Sequence, residues 1–297
     1  MNLRRLQVMM HGNVSTVSLE RAQTPVPLPV ESDRSPPVYN SQPRNVIIFG
    51  ETGAGKSSVI NLIAADKIAQ TSPDAAACTM TSTAYHVVLQ SDQPFCIWDT
   101  IGLNEAGLVC EDYLRAIEKA YKLIKELNAS GGVHLLLLCM RGRITSAVQQ
   151  NYKLFFDIFC EKQVPLGIVV THLENEPNME TWWNKNEESF KHYGVSTRGH
   201  ACITATSGLD DVYLERYEES REMVRKLLLG LSSAAAWQKE RRIWFSTVLG
   251  NMARMLPRLS RSPTRRELVK KLVHECKFSQ SEAEAIANSI ETIRNAK

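Results

Sequence analysis

No apolar run in this chain is long enough to cross a bilayer: the longest, Val133 to Met140, falls far short of the roughly 20 residues a spanning helix needs. No two of the seven cysteines (Cys78, Cys96, Cys110, Cys139, Cys160, Cys202 and Cys276) form a C-x-x-C pair, and most sit in apolar runs. An odd count without that spacing argues against a disulfide framework or a zinc site and for reduced core thiols in the cytoplasm. There is no internal repeat, so solenoids and propellers are excluded. The N-terminus has no apolar signal core; Leu3-Arg4-Arg5-Leu6, followed by Ser and Thr with few acids, bears only a faint likeness to a mitochondrial presequence. Nor does either charge dominate, since the net charge is only +3 over 297 residues, and nothing in the pattern asks for nucleic acid. At 43% hydrophobic and 23% charged, the chain has an ordinary globular composition and length for one or two domains.

The charge is unevenly spread, at about +2, −6 and +7 for residues 1–44, 45–230 and 231–297. These limits coincide with changes of texture. Residues 1–44 carry Pro25, Pro27, Pro29, Pro36, Pro37 and Pro43 among Ser, Thr and Gln, and are expected to be a disordered tail. Pro25-Val26-Pro27-Leu28-Pro29 reads as a spacer, with polyproline II docking as the alternative. Residues 231–297 read as a basic helical extension. Trp237 to Leu256 is amphipathic, with Trp244, Phe245, Val248, Leu249, Met252 and Met255 among Lys239, Arg241, Arg242 and Arg254. The basic charges are expected to solvate helix faces, and the stretch could lie on a protein partner or an anionic, peripherally bound membrane. Pro257 to Thr264 breaks it, and helices over 265–276 and 281–295 follow, the second opening on a Ser281/Glu284 capping box.

Between these tails, Gly50-Glu51-Thr52-Gly53-Ala54-Gly55-Lys56-Ser57 fits G-x-x-x-x-G-K-[ST] without a mismatch. The apolar run Val46 to Phe49 precedes it, and the helix-forming run from Ser58 follows. Strand, glycine loop and helix are the context in which backbone N–H groups and a helix N-terminus converge on one anion. Lys56 is then placed to neutralise the outer phosphates, and Ser57 to give an oxygen to Mg²⁺. About forty residues on, the strand Phe95 to Trp98 delivers Asp99-Thr100-Ile101-Gly102. Asp99 suits the water shell of Mg²⁺, and Gly102 suits a backbone N–H close to the γ-phosphate.

Helices are expected over 111–128, 149–160 and 208–230, and strands over 85–89, 133–140, 165–170 and 199–204. Tyr85 to Leu89 pairs with 95–98 as a hairpin. The aromatic face Tyr152, Phe155, Phe156, Phe159 reads as core, and His134 as a satisfied core histidine. Strands alternating with helices imply an α/β fold with a mostly parallel sheet and ligands at the carboxyl ends of its strands.

The strand 165–170 ends in Thr171-His172-Leu173-Glu174. A carboxylate there accepts from the ring N–H and exocyclic amine of guanine, whereas adenine presents an acceptor at that ring position. Against the pattern [NT]-K-x-D, Thr171 matches, Glu174 replaces Asp, and His172 stands for the lysine that packs on the base. Asn184-Lys185-Asn186-Glu187 fits the same pattern loosely but lies in a helical run behind Trp182 and Trp183, which read as core. Ala205-Thr206-Ser207 stands where a loop would close over the base.

With these three motifs in chain order, residues 45 to about 208 resemble the translation-factor-like P-loop GTPases, nearest the septin, Toc and immunity-associated (GIMAP, AIG-type) branch. The phrases Trp98-Asp99-Thr100-Ile101-Gly102-Leu103-Asn104 and Cys139-Met140-Arg141-Gly142-Arg143-Ile144 are similar to those of fungal AIG-like G-domain proteins. The resemblance implies a three-layer Ras-like fold, GTP and GDP with Mg²⁺, and contacts from Gly50 through Ser58. It also implies a switch threonine on Mg²⁺, at Thr79 or Thr81. Leu103 stands where many such proteins have the glutamine that orients the attacking water, so hydrolysis is expected to be slow. Self-association through the G domain, dependent on nucleotide, is a further implication. Arg141 and Arg143 are expected in surface ion pairs, with reach toward the phosphates as the alternative. Two other readings share the phosphate loop: an ATPase or kinase, and a scaffold that holds GTP without turnover.

Overall fold

The computed structural model describes residues 42–70, 83–89, 93–100, 110–255 and 264–295. The expected tail up to residue 41, the switch threonines Thr79 and Thr81, Gly102, Leu103 and the break over 257–263 lie outside the described residues.

Six strands form one sheet in the order β2-β3-β1-β4-β5-β6. They are β1 (Arg44–Phe49), β2 (Thr83–Val88), β3 (Pro94–Asp99), β4 (Leu135–Arg141), β5 (Leu166–Thr171) and β6 (Gly199–Cys202). Only β2 runs antiparallel, paired with β3 from Thr83 opposite Asp99 to Val88 opposite Pro94, as the hairpin reading requires. The chain moves to one side of β1 for β2 and β3, then crosses back to β4. The carboxyl end of β1 is therefore the point where the topology switches, and an open parallel sheet forms its ligand crevice there.

Alternation along the buried strands assigns side chains to two layers. Ile47 and Phe49 of β1, with Leu136, Leu138 and Met140 of β4, face one side. Val46 and Ile48, with Leu135, Leu137 and Cys139, face the other. The second face is covered by α1 (Lys56–Ala64) and, through Val224 and Leu228, by α5 (Leu214–Leu231). The first is covered by α2 (Cys110–Ala129), α3 (Ser146–Tyr152) and α4 (Glu180–His192). The helix expected over 149–160 is α only to Tyr152; Lys153–Phe159 is π-helical, its last bond running from Cys160 N–H to Phe155 O at 3.0 Å. Five-residue spacing widens the turn, which leaves Phe155 and Phe159 fully buried and Phe156 only partly so.

The helices after residue 230 add to the first face: α6 (Arg241–Met255), α7 (Arg265–His274) and α8 (Gln280–Asn295). Trp244, Phe245, Val248 and Leu249 are at most 1% exposed, and Phe245 packs edge-on to Tyr121 of α2 at 5.2 Å. This part of the amphipathic face, expected to meet a partner or membrane, is instead covered from within the chain. Periodicity shows that a helix has an apolar side; it does not say who covers it. The capping box of α8 is Ser279/Glu282, with reciprocal bonds of 2.9 and 3.3 Å, two residues before the expected pair. No helix of the described residues is long and apolar enough to cross a membrane.

Trp244 Nε1–H donates to the Phe159 carbonyl at 2.6 Å inside this core. Trp244→Phe keeps an aromatic ring but leaves that carbonyl without its donor. A loss of about 1–3 kcal/mol in urea unfolding, at unchanged m-value, is expected.

Candidate functional site

The phosphate loop joins β1 to α1 across the switch point. Gly50 must be glycine on contact grounds: a Cβ there would lie 2.1 Å from the Cys139 carbonyl oxygen of β4. Gly53 and Gly55 hold φ of +78° and +83°, the left-handed conformation that turns the chain back into α1. Lys56 Nζ spans the loop, donating to the carbonyls of Gly50 and Glu51, each at 3.0 Å. Ser57, one residue further along α1, and Ser58 follow in its first turn.

The loop is braced from two strands. Thr171, at the end of β5, is 1% exposed. Its hydroxyl lies 3.0 Å from the Ala54 carbonyl, 3.2 Å from the Met140 carbonyl and 2.8 Å from His172 Nδ1. One hydroxyl proton serves one donor bond at a time, so these contacts compete. The structure therefore gives Thr171, read from sequence as part of the base motif, a place beneath the phosphate loop. On the other side, Thr145 Oγ1 donates to Glu51 Oε1 at 2.8 Å and accepts from Val148 N–H at 3.1 Å, as the N-cap of α3. Sequence reasoning missed Thr145, although Thr145 directly before Ser146-Ala147-Val148 is an N-cap signal. Thr145→Val is expected to cost about 1 kcal/mol of stability and to weaken nucleotide affinity several-fold by freeing Glu51. Thr145→Ser should keep both; thermal melts and direct titration check this.

Asp99 closes β3 beside this loop and is 1% exposed. Among the described residues neither carboxylate oxygen has a hydrogen-bond partner. Burial pushes its carboxyl up to about 6, against the opposing pull of Lys56. Thr100 is anchored next to it, its Oγ1 donating to the Ile48 carbonyl at 3.0 Å. A buried, orphaned carboxylate near a phosphate loop fits a hard cation, for which oxygen donors are the preferred ligands. Among the described residues no three His, Cys, Asp or Glu side chains gather to hold a metal. Mg²⁺ bound with a triphosphate needs only one or two protein carboxylates, the phosphates supplying the rest, so Asp99 and Ser57 are the donors that fit.

The residues read from sequence as the base motif lie on the loops after β5 and β6. Leu173 N–H donates to the Ile203 carbonyl at 3.3 Å. Glu174 Oε2 lies 3.4 Å from Thr204 Oγ1 and competes for its one proton with the nearer Thr206 carbonyl, which leaves the carboxylate largely free to accept from a ligand. Thr204, fully buried, was also missed; it stands one residue before the expected closing loop Ala205-Thr206-Ser207 and bonds the Thr206 carbonyl at 3.1 Å. His172 has φ of +63°. Burial, then the Arg141 charge, lowers its pKa against Glu174, which favours a neutral ring that can stack. Among the described residues neither Arg141 nor Arg143 forms an ion pair; both are exposed at the end of β4 and beyond it, contrary to the ion pairs expected. Asn184 to Glu187 lie inside α4, and Trp183 stacks on His200 at 3.9 Å, so the second N-K-x-E segment is no base site and Trp183 is core.

The family model described as "50S ribosome-binding GTPase" matches residues 45–172. GTPase Der of Campylobacter jejuni is 26% identical over 176 residues, 59% of this chain and 34% of that protein. Immune-associated nucleotide-binding protein 7 of Arabidopsis thaliana is 27% identical over 133 residues, 44% of this chain and 41% of that protein. The chain thus spans well under half the length of these relatives. A solved structure of an Aquifex aeolicus Era variant bound to GDP.AlF4- aligns with 74% of this chain and 69% of its own at 17% identity and a TM-score of 0.48. The loop geometry, the strand order and the matched segment agree: residues 45–172 match the GTPase family model and are similar to the immune-associated nucleotide-binding proteins.

Proposed function

We propose that residues 45–230 bind GTP with Mg²⁺ and hydrolyse it slowly to GDP and phosphate, as a switch. One observation carries this: among the described residues the carboxylate of Asp99 is buried without a partner at the mouth of the phosphate loop, a cost of about 1–3 kcal/mol per unsatisfied group that a bound cation would offset. Lys56 would leave the Gly50 and Glu51 carbonyls to neutralise the phosphates. Ser57 and Asp99 would hold the ion, directly and through its water shell, with Thr79 or Thr81 as the switch ligand. Bound there, Mg²⁺ would offset charge on the phosphate oxygens during transfer. Glu174 would select guanine and Gly102 would contact the γ-phosphate. Water attacks the γ-phosphorus, the bond to the β-phosphate oxygen breaks, and GDP leaves with that electron pair.

Leu103 cannot orient water, which leaves the site one polar group short. A second copy docking across the nucleotide is the proposed remedy, so self-association should depend on nucleotide. The buried thiols Cys96, Cys139, Cys160 and Cys202 suit the proposed cytoplasmic setting.

Phosphate release by the purified full chain, followed against protein concentration, tests both parts. A slow rate per molecule that rises with concentration is expected. A rate constant per molecule contradicts the self-association. GTP binding without any release would favour the non-hydrolysing scaffold.

A further inference from the structure

The loop from Glu174 to Pro177 carries the proposed guanine-reading carboxylate yet belongs to no helix or strand. Its own backbone supplies little: Glu176 N–H closes one turn on the Leu173 carbonyl at 3.1 Å, and Pro177 has no N–H. Order comes instead from Arg216, on the first turn of α5. Its Nη1 donates to the Glu174 carbonyl at 2.8 Å and the Glu176 carbonyl at 2.6 Å, and its Nη2 lies 3.4 Å from the Pro177 carbonyl. A planar guanidinium offers several donors in a fixed fork, so one side chain spans three carbonyls of a four-residue loop.

The same residue reaches the second base loop through its main chain. The Arg216 carbonyl accepts from Ser220 Oγ at 2.6 Å, and that oxygen accepts from Thr204 N–H at 3.1 Å. Thr204 is the residue whose hydroxyl lies against the Glu174 carboxylate. Tyr213, just before α5, repeats the pattern: its hydroxyl donates to Asn175 Oδ1 at 3.1 Å and its N–H to the Ser207 carbonyl at 2.8 Å. The start of α5 thus ties the loop after β5 and the loop after β6 into one frame, with Glu174 between them.

We infer that Arg216 is a positioning residue for nucleobase specificity: it fixes the backbone of Glu174, so that the carboxylate stands where the ring N–H and exocyclic amine of guanine meet it. The inference rests on the reading of Glu174 as the guanine acceptor. Among the described residues the side-chain hydrogen bonds of Arg216 go to the loop after β5 and not to the phosphate loop, so its effect should fall on the base and spare the phosphates.

The test compares direct titrations of the full chain with GTP, inosine triphosphate and ATP. Inosine triphosphate lacks the exocyclic amine, so its ratio to GTP reports where the carboxylate stands. Arg216→Ala is expected to weaken GTP binding at least tenfold, to shrink the preference for GTP over inosine triphosphate, and to leave ATP affinity unchanged. Arg216→Lys, which keeps a cation on the same surface of α5 but not the fork, should fall between, and it carries the test if the alanine variant fails to fold. Equal weakening for all three nucleotides would mean a merely structural role, and an unchanged ratio would overturn the inference. A wild-type protein without preference for GTP over ATP would instead refute the reading of Glu174, whatever Arg216 does.

Discussion

Asp99→Asn is expected to raise the stability of the nucleotide-free protein while abolishing its Mg²⁺-dependent nucleotide binding. The folded state holds the Asp99 carboxyl at about 6, against an ordinary value of 3.8, chiefly because burial disfavours the charged form. Between those two values the native state binds more protons than the unfolded state, so stability falls as pH rises through that window, and the penalty is complete above pH 6. A shift of about two units corresponds to about 3 kcal/mol. Asparagine has the same shape and never ionises, so the variant should melt higher than wild type at pH 7 and nearly together with it at pH 4. The wild-type protein should become more stable from pH 7 to pH 5, as far as Asp99 governs the change, and the variant should lack that rise. The functional loss runs the other way. Without the carboxylate the ion loses its buried anionic donor, and nucleotide affinity should no longer respond to Mg²⁺. Such a trade is ordinary where a site holds a charge for a ligand. Thermal melts over pH and titrations with and without Mg²⁺ read both effects.

Glu174→Ala is expected to erase discrimination between GTP and ATP by weakening GTP alone. Guanine offers two donors on one edge, and a hydrogen bond to a charged acceptor contributes about 1.5–3 kcal/mol. Their loss together predicts a fall in GTP affinity of at least a hundredfold, with ATP little changed because it never used the carboxylate. The 3.4 Å contact with Thr204 is too long to hold the carboxylate away from a ligand. Competition titration of both nucleotides against both proteins checks this. A variant that still prefers GTP would place specificity elsewhere, with His172 or the loop at 205–207 as the next candidates.

What could be read from the sequence was what is local. Gly50 to Ser57 lies on consecutive residues, and the strand before Asp99 shows as an unbroken apolar run; both stand where expected. The hairpin of β2 and β3 was visible because 91–94 is turn chemistry between two strand patterns. What could not be read is held by bonds between distant segments. Thr171 meets Ala54 across 117 positions and Thr145 meets Glu51 across 94, and no period or motif records such pairs. Thr171 shows what a motif match leaves out: the residue type is right, but only the structure shows its hydroxyl beneath the phosphate loop. The α6 helix makes the same point for packing. Trp244, Phe245, Val248 and Leu249 were read as its apolar face, yet only the contacts with Tyr121 and Phe159 reveal that the chain covers these four itself. The π-helical stretch and the Ser279 cap differ for another reason, since tertiary packing of aromatic rings and a choice among neighbouring serines are decided by geometry that spacing does not carry.

The most direct measurement is the equilibrium titration of the purified full chain with GTP and with ATP, each with and without Mg²⁺. Tight binding of GTP that strengthens with Mg²⁺, and ATP weaker by at least a hundredfold, in line with the two guanine hydrogen bonds, is the predicted result. Preference for ATP, or GTP binding indifferent to Mg²⁺, would contradict the account.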